Sequence, residues 1–196
     1  MKKVRFSMLI ALLAFAAGAC HADPDDPAGQ AEELADPVRR ENALANLQRL
    51  YGTVLADNDG DRSAAPVAEF HDQVAEKLNQ AYIDNPADNQ NRLTMLELMK
   101  EMRDPRTLPA LMEALDWRAE VSENHAISAA DTLRYMEVPG DKKGEVVRAL
   151  CAGLEKVTGP RPIDNRLRNG FIKGLGAMGD NSATECLIRV ATNQSE

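Results

Sequence analysis

Hydrophobic residues recur at the same offsets in four segments of the chain. Apolar side chains stand 3, 7 and 10 residues after each of four starting positions: Arg40, Arg92, Ala126 and Arg168. The four stripes are Ala43, Leu47 and Leu50; Met95, Met99 and Met102; Ala129, Leu133 and Met136; and Phe171, Leu175 and Met178. This spacing places the apolar residues on one face of an α-helix. The pattern therefore predicts four amphipathic helices of one class.

A second amphipathic segment follows each of these helices. The apolar sets are Val67, Phe70, Val74 and Leu78; Leu108, Leu111, Met112 and Leu115; Val147, Leu150, Cys151 and Leu154; and Ala183, Leu187 and Val190. Asp104 and Asp180 each precede such a segment, as N-capping residues do. Arg92 and Arg168 lie 76 residues apart, which is two repeats of about 38 residues, a period typical of helix-pair arrays.

The segment "KGLGAMGDNS" contains Gly174, Gly176 and Gly179 in a G-x-G-x-x-G spacing. A dinucleotide-binding loop with this spacing requires a preceding β-strand, and the preceding residues "NRLRNGFIK" favour a helix. In the repeat alignment Gly179 corresponds to Arg103, directly before the capping aspartate. We therefore expect a helix end here and no nucleotide site.

The segments "DPVRRENALANLQRL", "MRDPRTLPALMEAL" and "AMGDNSATECLI" carry a family resemblance. Over residues 36–196 the chain resembles the HEAT family, particularly the short bacterial HEAT-like repeats also found in phycobilin lyases. It departs from the pattern at Ala126, where the arginine is lost, and by an insertion at 51–65. The resemblance implies an all-α fold, a right-handed α-solenoid of antiparallel helix pairs with about four repeats over residues 37–196. It also implies scaffolding or protein binding as the function.

The N-terminus has the organisation of a signal peptide. Lys2, Lys3 and Arg5 precede a short apolar segment, and small residues lead to Cys20. Residues 1–19 resemble a bacterial lipoprotein signal, which implies that Cys20 is acylated and anchors the chain in a membrane. Cleavage after Ala19 by an ordinary signal peptidase is the alternative. Because His21 and not aspartate follows Cys20, the resemblance favours the outer membrane of the cell envelope.

Residues 20–36 are rich in proline and acidic side chains, so we expect a solvated acidic tether there. The formal net charge of the chain is −8, which argues against a nucleic-acid partner, because nucleic-acid binding needs a basic face. A protein partner is expected instead. No motif for a catalytic nucleophile or for a cofactor is present in the sequence, and no enzymatic activity is expected.

Two alternatives to a scaffold follow from particular features. The loop "DNDGDRS" at 57–63 spaces three aspartates as a calcium loop does, but Arg62 and Ala68 occupy the sixth and twelfth positions of that motif, where glycine and glutamate are required. A calcium-responsive module is therefore the weaker hypothesis, and no metal site is assigned. The other alternative, a lyase-like enzyme, rests on the family resemblance alone, and repeats do not confer that chemistry.

Three structural expectations concern single residues. Arg40, Arg92 and Arg168 are expected to pair with turn aspartates or carbonyls between repeats. Cys151 and Cys186 lie on corresponding helices, and because neighbouring helix axes run about 8–10 Å apart, we expect two buried free thiols. The helix over 181–193 is expected to present apolar residues to a second copy of the chain or to the partner.

Overall fold

The computed structural model describes residues 22–193, and this part of the chain is all-helical, without β-strands. The predictions for residues 1–19 and for Cys20 and His21 lie outside the described residues. No helix between residues 22 and 193 is both long and apolar enough to cross a membrane.

The helices follow the predicted order. They are α1 (Pro27–Glu33), α2 (Arg40–Asp57), α3 (Ala65–Asp84), α4 (Asn89–Met102), a 3₁₀ turn (Pro105–Thr107), α5 (Leu108–Leu115), α6 (Glu123–Tyr135), α7 (Gly140–Glu155), α8 (Pro162–Met178) and α9 (Asn181–Asn193). The four helices predicted from the stripes are α2, α4, α6 and α8, and the four second helices are α3, α5, α7 and α9. The prediction of an all-α chain is thus confirmed for the described residues.

Two equivalent helices end in the same backbone conformation. Arg103 terminates α4 with φ 56°, and Gly179 terminates α8 with φ 61°, both left-handed. Asp104 then caps the next turn by accepting the backbone N–H of Arg106, and Asp180 accepts the N–H of Ser182. A left-handed residue at a helix C-terminus favours glycine. The glycine-rich segment is therefore a helix end, as predicted.

The helices pack in two rows along the chain. In one row α2 contacts α4, α4 contacts α6 and α6 contacts α8; in the other α3, α5, α7 and α9 contact one another in the same succession. The stripe residues are buried, except for the half-buried Leu50, and form one continuous core with the apolar faces of the second row. In the first row, α4, α6 and α8 contact one another more extensively than they contact the helices of the second row.

The predicted tether is wrong for residues 27–34. Asp26 caps α1, and Pro27 occupies its first turn. Ala31 and Leu34 are buried, because α1 packs against α2 and α3. The acidic composition obscured a short helix whose few apolar residues share one face.

Candidate functional site

Three junctions join successive helix pairs, and each brings the N-terminal end of a stripe helix next to the turn that precedes the following stripe helix. The first junction joins α2 to residues 84–88. The middle junction joins α4 to residues 116–122. The third junction joins α6 to residues 156–161.

An ion pair closes the first junction. The Arg40 side chain is 2% exposed; its Nε donates to the Leu34 carbonyl at 2.8 Å and its Nη1 to Asp88 Oδ2 at 2.7 Å. Nη2 donates to Asn85 Oδ1 at 2.8 Å. Burial alone raises the pKa of Asp88, but hydrogen bonds from Asn91 and Arg40 outweigh it and lower that pKa. The predicted pairing of Arg40 with a turn aspartate and with carbonyls is confirmed.

An ion pair also closes the third junction, but here the turn supplies the cation and the stripe helix supplies the carboxylate. Ala126 occupies the arginine position of the repeat, so α6 supplies no cation there. Instead Arg161, in the turn before α8, donates from Nη2 to Glu123 Oε1 at 2.7 Å. Arg168 donates to the carbonyls of Val157 and Gly159, at 3.4 and 3.2 Å, as a turn-binding arginine.

At the middle junction no ion pair joins α4 to residues 116–122 in the described part of the chain, because Arg92 pairs with α5 instead. Arg92 donates to the Pro86 carbonyl at 3.3 Å and to Glu113, and its guanidinium lies 3.9 Å from the centroid of the Tyr82 ring. Its Nε has no hydrogen-bond partner among the described residues. The opposite turn places Ser122 at the N-cap of α6, where the first junction has Asp88; the Ser122 hydroxyl accepts the Arg118 backbone N–H at 2.9 Å.

A cleft of about 290 Å³ occupies this open junction. Its walls include Tyr82, Pro86, Arg92, Glu113, Arg118, Val121 and His125. Burial raises the pKa of Tyr82 to about 12, and burial together with the charge of Arg92 lowers the pKa of His125. Both side chains are therefore uncharged at neutral pH. At the floor of the cleft, Tyr82 Oη and His125 Nδ1 lie 3.3 Å apart and share a hydrogen bond.

Of the charged side chains at the rim of the cleft, the carboxylates are paired and one cation is not, as far as the described residues go. Glu113 is held by Arg92, and Asp116 is held by Lys156 at 2.5 Å. The Arg118 guanidinium forms no ion pair within residues 22–193, although its charge contributes, after Lys156, to lowering the pKa of Asp116. The cleft therefore has one cation, Arg118, that forms no ion pair in the described part of the chain.

A second polar cluster ties three elements together. His71 Nδ1 lies 3.3 Å from Asp104 Oδ2, and His71 Nε2 lies 3.4 Å from the Tyr51 hydroxyl. Tyr51 Oη donates to the Glu101 carbonyl at 3.1 Å, and Arg106 binds both carboxylate oxygens of Asp104. The cluster joins α2 and α3 to the turn between α4 and α5.

The loop 57–63 does not gather its aspartates around a common point. Asp61 accepts hydrogen bonds from the backbone and hydroxyl of Ser63, while Asp59 turns the chain with φ 52°. Between residues 22 and 193 no three His, Cys, Asp or Glu side chains are grouped as metal ligands. No observation on this loop therefore favours calcium binding.

Cys151 and Cys186 form a disulfide, so the prediction of two free thiols is wrong. Their Cα atoms lie 6.1 Å apart, on α7 and α9. The axis separation of packed helices misled the prediction, because Cα atoms on facing sides of two helices lie closer than the axes. Next to the disulfide, Arg189 pairs with Glu155 at 2.7 Å.

The C-terminal helix exposes one large apolar residue. Ile188 is 60% exposed, while Leu187 and Val190 are half-buried against the core. Sequence reasoning identified this helix and Arg92, but it missed Arg118, Ser122 and Arg161, since none of them lies on a repeated position.

No protein-family model, curated protein or solved structure matches this chain.

Proposed function

We propose that this protein is a lipid-anchored scaffold of the bacterial cell envelope, a short HEAT-like α-solenoid that binds another protein. The observation that carries the proposal is the pair of helix rows, α2–α4–α6–α8 and α3–α5–α7–α9, in which each helix contacts the next member of its row. Stacked helix pairs of this kind form rigid, extended surfaces that serve as binding platforms. The two rows support assignment of residues 37–196 to such an array of about four repeats.

Two separate features support a location in the cell envelope. Residues 1–20 have the charge and apolar pattern of a lipoprotein signal that ends at Cys20. The Cys151–Cys186 disulfide fits an oxidising compartment outside the cytoplasm, because disulfides are rare in reducing cytosol. His21 after the anchor favours the outer membrane over the inner one.

Lipid labelling tests the anchor. Cells grown with a clickable fatty-acid analogue should label the full-length protein, and Cys20→Ser should abolish the label and release the protein from the membrane fraction. Cys186→Ser is the matched control, since it removes a different cysteine and should keep both the label and the membrane location. A Cys20→Ser protein that still carries label would contradict lipidation at this residue.

Crosslinking tests the scaffold. A photo-crosslinking amino acid placed at exposed positions in intact cells should yield a small number of discrete adducts with another protein. If adducts arise equally from every position, or if none form, the protein is not a specific protein-binding scaffold.

A further inference from the structure

The middle junction differs from the other two in that, among the described residues, no ion pair links its stripe helix to its turn, because Arg92 pairs with Glu113 of α5 instead. Arg40 and Asp88 close the first junction, and Arg161 and Glu123 close the third, both at 2.7 Å. In the middle, Arg92 faces a turn whose capping residue is Ser122. The cleft lies between α4 and this turn, and the Arg92–Glu113 pair forms part of its wall.

We propose that an acidic side chain of the partner protein, flanked by an apolar residue, enters this cleft and places its carboxylate beside Ser122, where the first junction has Asp88. This inference rests on the proposed scaffold function and identifies the chemistry of its partner. The carboxylate would be held by Arg118, on the same side of the junction as Ser122. It would take the place that Asp88 has opposite Arg40 in the first junction.

Charge favours an anion over a cation as the occupant. The two carboxylates of the rim, Glu113 and Asp116, are already held by Arg92 and Lys156. Arg118 is the rim cation without an ion pair in the described part of the chain. A cationic ligand would have to displace an existing cation, whereas an acidic side chain meets an available one.

The size and the apolar edge of the cleft fit a short peptide segment. A volume of about 290 Å³ lies near the lower end of ligand-pocket volumes, roughly 300–1,000 Å³, so it accepts one or two side chains. Val121 is 61% exposed at the edge, and Pro86 is exposed beside it. These two residues offer contact area to an apolar neighbour of the acidic residue.

Binding of blocked peptides to the full-length protein in detergent tests the proposal. The probe is acetyl-Gly-Leu-Asp-Val-Gly-amide, compared with the same peptide carrying Asn for Asp, and the readout is the NMR shift of backbone amides. The Asp peptide should shift the amides of Ser122 and His125, and the Asn peptide should bind about tenfold more weakly, since a charged hydrogen bond is lost. Arg118→Gln should weaken binding of the Asp peptide by a similar factor, and Arg166→Gln on α8 should leave its affinity unchanged.

Ser122→Asp provides a second variant that keeps the fold and competes with the ligand. Aspartate is as good an N-cap as serine, and it returns to the junction the carboxylate that Asp88 supplies in the first one. This variant should unfold at the same or a higher temperature than the wild type and bind the Asp peptide about tenfold more weakly. Ser63→Asp adds the same charge in the 57–63 loop and should not alter binding.

Several results would overturn the proposal. They are equal binding of the Asp and Asn peptides, no effect of Arg118→Gln, or stronger binding of an Asn peptide with a free C-terminal carboxylate, which would assign the cleft to a chain terminus. Such a failure is separable from failure of the scaffold, because cellular crosslinking and Cys20 labelling do not depend on this cleft.

Discussion

Arg40 and Asp88 are separated by 48 residues in sequence and form a 2.7 Å ion pair that joins the first two helix pairs. The guanidinium is buried and also binds the Leu34 carbonyl, so it links the end of α1, the start of α2 and the N-cap of α4.

Asp88→Ala should destabilise the protein strongly, although Asp88 lies in a turn. It leaves the buried Arg40 guanidinium without its counter-charge and removes the N-cap of α4, so we expect the free energy of unfolding to fall by about 2–4 kcal/mol. Asp88→Asn keeps a capping acceptor and should cost less. Asp25→Asn breaks the exposed pair with Arg49 and should have no measurable effect. Urea unfolding measures all three, and equal effects of the Asp25 and Asp88 variants would contradict the assigned role of the pair.

Asp104 should give the protein an acid-sensitive stability. Burial raises the pKa of this carboxyl, but hydrogen bonds from Arg106 and His71 outweigh it and hold the pKa well below its usual range. Because the folded pKa is depressed, the stabilisation is complete above the unfolded pKa of about 4 and is lost as the pH falls below that value. The difference in unfolding free energy between the wild type and Asp104→Asn should therefore be large at pH 7 and narrow towards pH 3.

Asp141→Asn, at an exposed position in the first turn of α7, is the control for this pH series and should follow the wild type at every pH. A difference between wild type and Asp104→Asn that stays constant from pH 7 to pH 3 would show that Asp104 acts through shape and not through its charge.

The disulfide should account for a large share of the stability of the last two helix pairs. It joins residues 35 apart in sequence, and closing a loop of that length stabilises by about 3–4 kcal/mol in the chain-entropy account. In a Cys20→Ser background, denatured protein should show no free thiol before reduction and two after it. Cys151→Ala with Cys186→Ala should lower the unfolding free energy by a comparable amount, and two thiols detected without reductant would contradict the bridge.

The exposed flank of α9 should mediate contact between copies of the chain. Ile188 points away from the core at 60% exposure, and its neighbour Leu187 is half-buried. Ile188→Glu in the full-length protein should reduce concentration-dependent association in sedimentation velocity without lowering the melting temperature. Thr184→Glu adds the same charge at another exposed position of α9 and should have less effect. Wild-type protein that stays monomeric at high concentration would remove this flank as a self-association site.

The repeated helices could be predicted from sequence because each carries its apolar residues at fixed offsets, and this periodicity depends only on local geometry. Arg40 was predictable for the same reason, since it recurs at the start of a stripe. Helix α1 was not, because Ala31 and Leu34 are too few to outweigh an acidic composition. The disulfide required the distance between two helices, which sequence spacing does not supply.

The candidate cleft was only partly predictable from the sequence. Arg92 recurs at a repeated position and places α4 at this junction, but Arg118 and Ser122 lie in a turn without a repeated pattern. Their importance comes from comparison of three junctions in space. A repeat alignment that included the turns would have shown serine at 122 against aspartate at 88.

Substitution by alanine should change the unfolding free energy in opposite directions at two glycines that both lie inside helices. A Cβ atom at Gly153 would stand 2.5 Å from two ring carbons of Phe171, a fully buried residue, whereas a Cβ at Gly176 would meet no atom within 4 Å. Both glycines lie inside helices, where alanine is favoured by about 1 kcal/mol. Gly176→Ala should therefore raise the unfolding free energy by up to that amount.

Gly153→Ala should instead lower the unfolding free energy by about 1–3 kcal/mol, because the buried ring or the backbone of α7 must shift. The Gly153 carbonyl also accepts the Trp117 indole N–H at 3.1 Å, so a shift of α7 should change the Trp117 fluorescence. Phe171→Leu removes the opposing ring carbons, and in that background Gly153→Ala should cost clearly less. If the cost of Gly153→Ala is unchanged by Phe171→Leu, the contact between α7 and α8 at this point is not the one described.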